Sequence, residues 1–327
     1  MKNCNGLLII NEQEFIPLLQ NLNLLSPSQR QRLHHSLESN ETSSEEILAV
    51  KMALHQCPYC ASTPLKPWGA SHGLPRYRCT SCFKTCNPLT KSPLARLRKR
   101  DRWLMYAQAL IDGLSVRKAA TLCDVDKNTA FLWCHRFLTL INIRQALHEE
   151  GIIEADETFF LESFKGQRHL PRAPRRRGGV GKTRGTSDDQ IPVLAVRDRH
   201  LSTATIILER VDAAHVKAAL SPLVDKDAIL YTDGAAVYNA FCKELGIAHE
   251  VIHSRAPRAR GIFHIQNVNT FDSRLKGWIR RFHGVATKYL GNYLGWRRML
   301  ERYRTAITPE DCLLEAVGRT PQQLIQT

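Results

Sequence analysis

The 327-residue sequence has no apolar run long enough to cross a membrane. Its best stretch, Gly6-Leu7-Leu8-Ile9-Ile10, falls far short of the ~18 residues a span needs. The N-terminus has one Lys, no extended apolar core and no small-residue cleavage site, so no export signal is expected. There is no G-x-x-x-x-G-K-[ST] phosphate loop, so no ATP is implied, and no evident Tyr or Ser nucleophile motif. Acidic residues are in deficit: 31 Asp plus Glu against 46 Lys plus Arg leave a net charge of +15. Membrane and secreted classes are thereby set aside, and a polyanion, nucleic acid first, becomes the expected partner. With 43% apolar and 24% charged residues the composition is that of a globular protein, and the length suits two or three folded units.

The charge is unevenly spread. Residues 1–50 carry −3, residues 51–150 carry +10, residues 151–250 balance at zero, and residues 251–327 carry +8. Two basic segments thus flank a neutral one rich in Asp and Glu. That pattern fits an enzyme of phosphodiesters, with attraction for the backbone and metal ligands where bonds break. Solvated surface charge is the plain alternative.

Residues 12–50 carry Phe15, Leu18, Leu19, Leu22 and Leu25 at helical spacing, a second helix running into Leu54. Residues 1–54 are read as an accessory helical segment. The ten cysteines then sort sharply. Cys57 and Cys60 form Cys-Pro-Tyr-Cys, Cys79 and Cys82 form Cys-Thr-Ser-Cys, and 18 residues separate the pairs. This is the spacing of a four-thiolate zinc ribbon, assigned to residues 55–92. A redox pair does not explain two motifs, and a disulfide framework is out of place in a chain without an export signal.

Residues 96–145 carry the pattern of a helix-turn-helix. A helix over Trp103 to Ile111 stops at Gly113, and Ser115 caps a short helix over Val116 to Leu122. After a turn at Cys123-Asp124-Val125, Asp126 caps a third helix over Lys127 to Leu138. Lys127, Asn128 and Thr129 would then meet base edges, with Arg117, Lys118 and Arg136 available to phosphates. A plain helical bundle is the competing reading.

Beyond Glu150 the periodicity changes to strands. Residues 151–160 read as a first strand carrying Asp156, and residues 228–234 as a short strand ending at Asp233. Residues 164–190 form a loop rich in Arg and Gly. Two aspartates on neighbouring strands can share Mg²⁺ or Mn²⁺, and two such ions suit phosphodiester displacement. A long helix over about 263–282 would place Asn269 and Lys276 on one face, two turns apart.

Taken together, these residues resemble the bacterial insertion-sequence transposases of the IS1595 family, recombinases with three metal-binding positions and an N-terminal zinc ribbon. The resemblance is carried by residues 57–82, Asp112-Gly-Leu-Ser-Val-Arg-Lys-Ala-Ala120, Asp156-Glu-Thr158, Tyr231-Thr-Asp-Gly234, Asn267-Val-Asn-Thr270 and Tyr293-Leu-Gly-Trp296. It implies a multidomain α+β chain whose residues 150–305 form an RNase H-like catalytic domain, followed by a C-terminal tail at 306–327. It also implies Asp156 and Asp233 as the first two Mg²⁺ ligands. Asn269 takes the third position, where most DDE-type enzymes have Glu and some branches of this family are similar to this chain in carrying Asn, with Lys276 as a phosphate-binding companion. Asp272, one turn along, is the alternative third ligand.

The expected function is a DNA transposase located in the bacterial cytoplasm, at the nucleoid. It would bind terminal inverted repeats and target DNA as double-stranded partners. It would use structural Zn²⁺ and catalytic Mg²⁺ or Mn²⁺, and act as a homodimer or larger assembly. A DNA-binding regulator on an inactive catalytic domain is the rival from another class, and a nuclease that cuts without joining is the second.

Overall fold

A computed structural model describes residues 12–26, 56–63, 65–174, 189–200, 202–252, 264–304 and 306–318, together with positions 29, 30, 44, 47 and 48. Helix α1 spans Glu12–Asn21. The rest of the expected N-terminal segment, and the loop over 175–188, lie largely outside the described residues. No helix among the described residues is long and apolar enough to cross a membrane.

The cysteine-rich segment folds as a small antiparallel sheet. Strands β1 (Leu65–Ser71) and β2 (Leu74–Cys79) join through His72-Gly73, and Ser71 pairs with Leu74 across the turn. Both turn residues have positive φ, 51° and 74°, the two-residue hairpin turn whose twist matches its strands. A two-residue strand β3 (Thr85–Cys86) completes the sheet against Tyr77 and Arg78. Its own buried core is only Cys57, Leu65, Cys79 and Cys86.

Three helices follow, with the caps the sequence expects. Helix α2 is Trp103–Ile111, and α3 is Val116–Leu122, capped by the Ser115 hydroxyl accepting from the Lys118 N–H. Helix α4 begins at Lys127, with the Asp126 carboxylate accepting from the Asn128 N–H at 2.7 Å. It continues to Ile143, five residues beyond the expected Leu138, because Ile141 is buried against neighbours far along the chain.

Next comes a five-stranded mixed sheet. Strands β4 (Ile152–Leu161), β5 (Gln190–Asp198) and β6 (Thr203–Ile207) are antiparallel, and β7 (Ile229–Thr232) and β8 (Ala248–Val251) run parallel to β4. The spatial order is β6-β5-β4-β7-β8. Helices α5 (Ala213–Leu220) and α6 (Ala236–Leu245) link β6 to β7 to β8. Their apolar faces cover Ile153, Ala155, Leu194 and Val196 on one side of the sheet. On the other side, α7 (Gln266–Arg280) lays Val268, Phe271 and Leu275 on Val193 and Ala195. The result is a helix–sheet–helix sandwich, a mixed α/β arrangement.

One further core ties these parts together. Helices α8 (Leu290–Tyr303) and α9 (Pro309–Ala316) contribute Tyr293, Trp296, Met299, Cys312, Leu313 and Ala316 to the cluster that holds Trp103, Tyr106, Trp133 and Phe137. Residues 306–318, read from sequence as part of a tail, therefore belong to the core. The Trp296 indole donates to the Leu110 carbonyl at 2.9 Å, closing α8 onto the end of α2. Gly295 lets α8 pack equally close on α4: a Cβ there would stand 2.4 Å from the Asn142 Cα and 2.8 Å from the Ile141 carbonyl oxygen. These are backbone atoms in the last turn of α4 and cannot rotate away. Gly295→Ala is therefore expected to lower the unfolding free energy by about 3 kcal/mol or more, the upper end of overpacking costs. A denaturant midpoint at unchanged slope checks this, and a wild-type midpoint would refute the close-packing account.

Candidate active site

Along β4 successive side chains alternate faces, so Glu154, Asp156 and Thr158 point toward α7. Asp156 sits mid-strand opposite Ala195, and its carboxylate accepts the Glu157 N–H at 2.9 Å. The parallel register pairs Glu154 with Tyr231, so Asp233 comes level with Asp156 two residues further on. Asp233 is exposed where β7 gives way to α6, and its carboxylate accepts the Ala235 N–H at 3.1 Å. Gly234 follows with φ 92°, and a Cβ there would lie 2.4 Å from a Val251 methyl. Strand β8 thus requires glycine beside the aspartate.

Charge places the two acids in one neighbourhood. Burial raises the pKa of Asp156, the Glu157 N–H opposes the rise, Asp233 adds to it, and Lys276 pulls it back. Like charges held this close favour a cation between them. Glu157 points to the opposite face, where the Tyr238 hydroxyl donates to it at 2.6 Å. No local signal in the chain marks that pair, since its partners are 81 residues apart.

On α7, Asn269 and Lys276 are both exposed, while Asp272 is buried with one carboxylate oxygen lacking a hydrogen-bond partner. Burial pushes the Asp272 carboxyl up to about 8, with Asp156 adding to the shift. So α7 brings a carboxyl and an ammonium into electrostatic reach of Asp156, and carries Asn269 one turn before Asp272. Two carboxylates with an amide suit Mg²⁺, which commonly binds through one or two carboxylates and takes its remaining ligands from substrate phosphate and water.

The start of α7 is clamped to β4. Fully buried Glu154 accepts the Val268 N–H at 3.0 Å, one of the free donors of the first helical turn. Its other oxygen is paired with Arg199 at 2.5 Å, and His264 stands 3.4 Å away. Glu154→Ala should cost about 3–5 kcal/mol, the range for breaking a buried pair. It should also speed hydrogen exchange at the Val268 amide. Unchanged exchange there would mean that Glu154 does not hold the helix.

Elsewhere, the sulfurs of Cys57, Cys60, Cys79 and Cys82 lie within 4.8 Å of one another. The Cys57–Cys82 and Cys60–Cys79 separations are both 3.6 Å, and all four thiols are free. A tetrahedron of ~2.3 Å zinc–sulfur bonds has edges of roughly 3.75 Å, so the four sulfurs fit one zinc ion. Among the described residues this is the one group of three or more His, Cys, Asp or Glu ligands gathered so tightly. Cys86 is buried beside it but outside the set. The ribbon surface is basic and aromatic: Arg78 stacks over Trp68 at 4.7 Å, and Lys84 and Lys91 lie over Tyr59 at 5.1 and 5.0 Å. Residues 51–100 contain ten Lys or Arg and no Asp or Glu.

Of the six candidate DNA contacts, Arg117, Lys118, Lys127, Asn128 and Arg136 are exposed and Thr129 is half-buried. Arg117 and Lys127 line one shallow cleft with Lys99 and Thr121. Arg136 donates to the Pro93 carbonyl at 3.1 Å, tying α4 to the segment after the ribbon.

Residues 149–297, the span of the mixed sheet with α7 and the first half of α8, match the family model of the ISXO2-like transposase domain. The match spans 149 of the 327 residues, just under half of the chain. Asp156, Asp233, Asn269 and Lys276 all fall inside it. The chain is also similar to a chain of the simian T-cell lymphotropic virus intasome, at 13% identity and TM-score 0.29. That match covers 58% of this chain and 66% of the other, just under two thirds. Two Mos1 structures are similar as well. The pre-cleavage transpososome gives 13% identity, TM-score 0.22 and coverage of 68% and 81%. The transposase paired-end complex with left transposon end gives 14%, 0.23, 69% and 81%. No curated protein sequence matches the chain.

Proposed function

We propose that this chain is a metal-dependent DNA transposase. The observation that carries the reading is the meeting of Asp156 and Asp233 on adjacent parallel strands, with Lys276 in electrostatic reach, inside the span that matches the ISXO2-like transposase domain. The strand order, three antiparallel strands continued by two parallel ones, supports an RNase H-like domain. Asp156, Asp233 and Asn269 would hold Mg²⁺, which supplies activation of the attacking oxygen and stabilisation of the leaving one. Lys276, on the Asn269 face of α7, positions a phosphate beside the carboxylates. The four-cysteine sheet holds Zn²⁺ and, with α2–α4, reads the terminal inverted repeats. Lys127, Asn128 and Thr129 enter the major groove, while Arg117, Lys118 and Arg136 grip the backbone. Joining two DNA ends calls for a dimer or larger assembly.

The test is a cleavage and joining assay on labelled duplexes that end in the inverted repeats flanking the gene, with and without Mg²⁺. Metal-dependent strand transfer is the expected result. Cleavage without joining would make the chain a nuclease, and tight specific binding without cleavage a regulator.

A further inference from the structure

A second charged cleft lies on the far side of α7. About 520 Å³ in volume, it is lined by Arg197 from β5, by Asn267, Thr270 and Arg274 from α7, and by Glu301 and Arg304 from α8 and its end. Residues 267, 270 and 274 form a stripe on α7, rotated by about half a turn from the stripe of 269 and 276. The helix therefore shows one polar edge to the carboxylates and another to this cleft.

The cleft has more cationic donors than acceptors. Arg197 is its floor: the side chain is 6% exposed, lies 5.6 Å over the Phe271 ring, and its Nε–H has no hydrogen-bond partner. Its nearest carboxylate oxygen, on Glu301, is 3.8 Å away, and Arg274 stands 3.7 Å from the same carboxylate. Both distances exceed hydrogen-bond range. Glu301 is already engaged by Arg297, one turn earlier on α8. Burial acts against the Arg197 charge, Glu301 and, more weakly, Glu154 support it, and Arg274 and Arg304 oppose it. Arg197 and Arg274 thus face a carboxylate already committed to Arg297, and Arg304 adds a third guanidinium to the cleft wall. A buried, permanently charged donor without an acceptor is costly unless an anion completes it.

We propose that this cleft is a binding site for a backbone phosphate of DNA, distinct from the phosphates at the reacting bond. Planar guanidinium forks match phosphate oxygens in pairs, and the Asn267 amide and Thr270 hydroxyl add neutral donors of the kind that grip DNA backbone. The site rests on the transposase reading only for its ligand being DNA. Its place behind α7 means that a strand leaving the carboxylates can be held on both edges of one helix.

The experiment measures affinity of the full-length, zinc-loaded protein for a labelled duplex without Mg²⁺, across a salt series. The Arg274→Gln/Arg304→Gln variant is compared with wild type and with exposed Arg210→Gln as a charge control. Arg274 and Arg304 are both exposed, so thermal midpoints should stay at the wild-type value and verify folding. The double variant is expected to bind roughly tenfold more weakly at physiological salt, with a salt slope lower by about 0.9 for each phosphate it no longer neutralises. Binding equal to that of the Arg210→Gln control overturns the proposal. A parallel arm follows the thermal midpoint in millimolar inorganic phosphate. Stabilisation by phosphate that the double variant loses, with unchanged duplex affinity, would make this a site for free phosphate and overturn the DNA assignment. Weakened binding by the variant, in a protein that shows no strand transfer, would retain the cleft and remove the transposase reading instead.

Discussion

Asp156→Asn and Asp233→Asn are each expected to abolish strand cleavage and joining while leaving DNA binding and fold intact. On the proposed mechanism the two carboxylates would supply the charge that a divalent ion needs, and such an ion would contribute several kcal/mol of transition-state stabilisation. Losing one carboxylate should cut the rate by on the order of 1000-fold at about 1.4 kcal/mol per factor of ten. Asparagine keeps the shape of the side chain and an oxygen that can still accept the Glu157 or Ala235 N–H. It also removes one of two neighbouring like charges, so no loss of stability is expected from electrostatics. Matching thermal midpoints and duplex affinities would locate the defect in the chemical step. Strand transfer within tenfold of wild type in either variant would remove these residues from the centre.

Removing zinc should have the second large effect, and a different one. Apart from Leu74, which reaches into the larger core, the β1–β3 unit buries only Cys57, Leu65, Cys79 and Cys86, far too little apolar surface to fold by itself. Structural zinc sites of this kind have apparent binding energies of about 10–16 kcal/mol near pH 7, and that energy is folding energy. Purified protein should carry one zinc per chain, and Cys79→Ser or a strong chelator should release it. Residues 56–86 should then become open to protease while the mixed sheet keeps its cooperative unfolding. Cys86→Ser is the informative control, since it lies beside the four sulfurs and outside their set. A Cys79→Ser protein with wild-type metal content would refute the site.

Much of this architecture is legible in the chain because its signals are local. Ser115 and Asp126 cap helices through bonds to residues two and three positions ahead, so a short window of sequence places α3 and α4. Cys57, Cys60, Cys79 and Cys82 carry their chemistry in their spacing. Asp156 and Asp233 can be read as strand-borne because apolar runs surround them. What escapes a sequence reading depends on long-range contact. Nothing near Glu154 says that it will cap a helix 114 residues away, and nothing near Arg197 says that Arg274 and Arg304 will face it. Asn269 and Asp272 are a similar case: helical spacing puts both near the carboxylates, and only the fold shows which is exposed and which is buried.

The bond from the Trp296 indole to the Leu110 carbonyl bears on distance as well as stability. It fastens the sheet-bearing half of the chain to the three-helix unit through a shared core, with no tether between them to stretch or swing. On the proposed transposase reading, helix α4 and the paired aspartates would act as the two jaws of a fixed calliper. The number of base pairs between the recognised sequence and the cut bond is then a dimension of the protein. Inserting or deleting base pairs in that interval should move the cut along the sequence while its distance from the bound repeat stays constant.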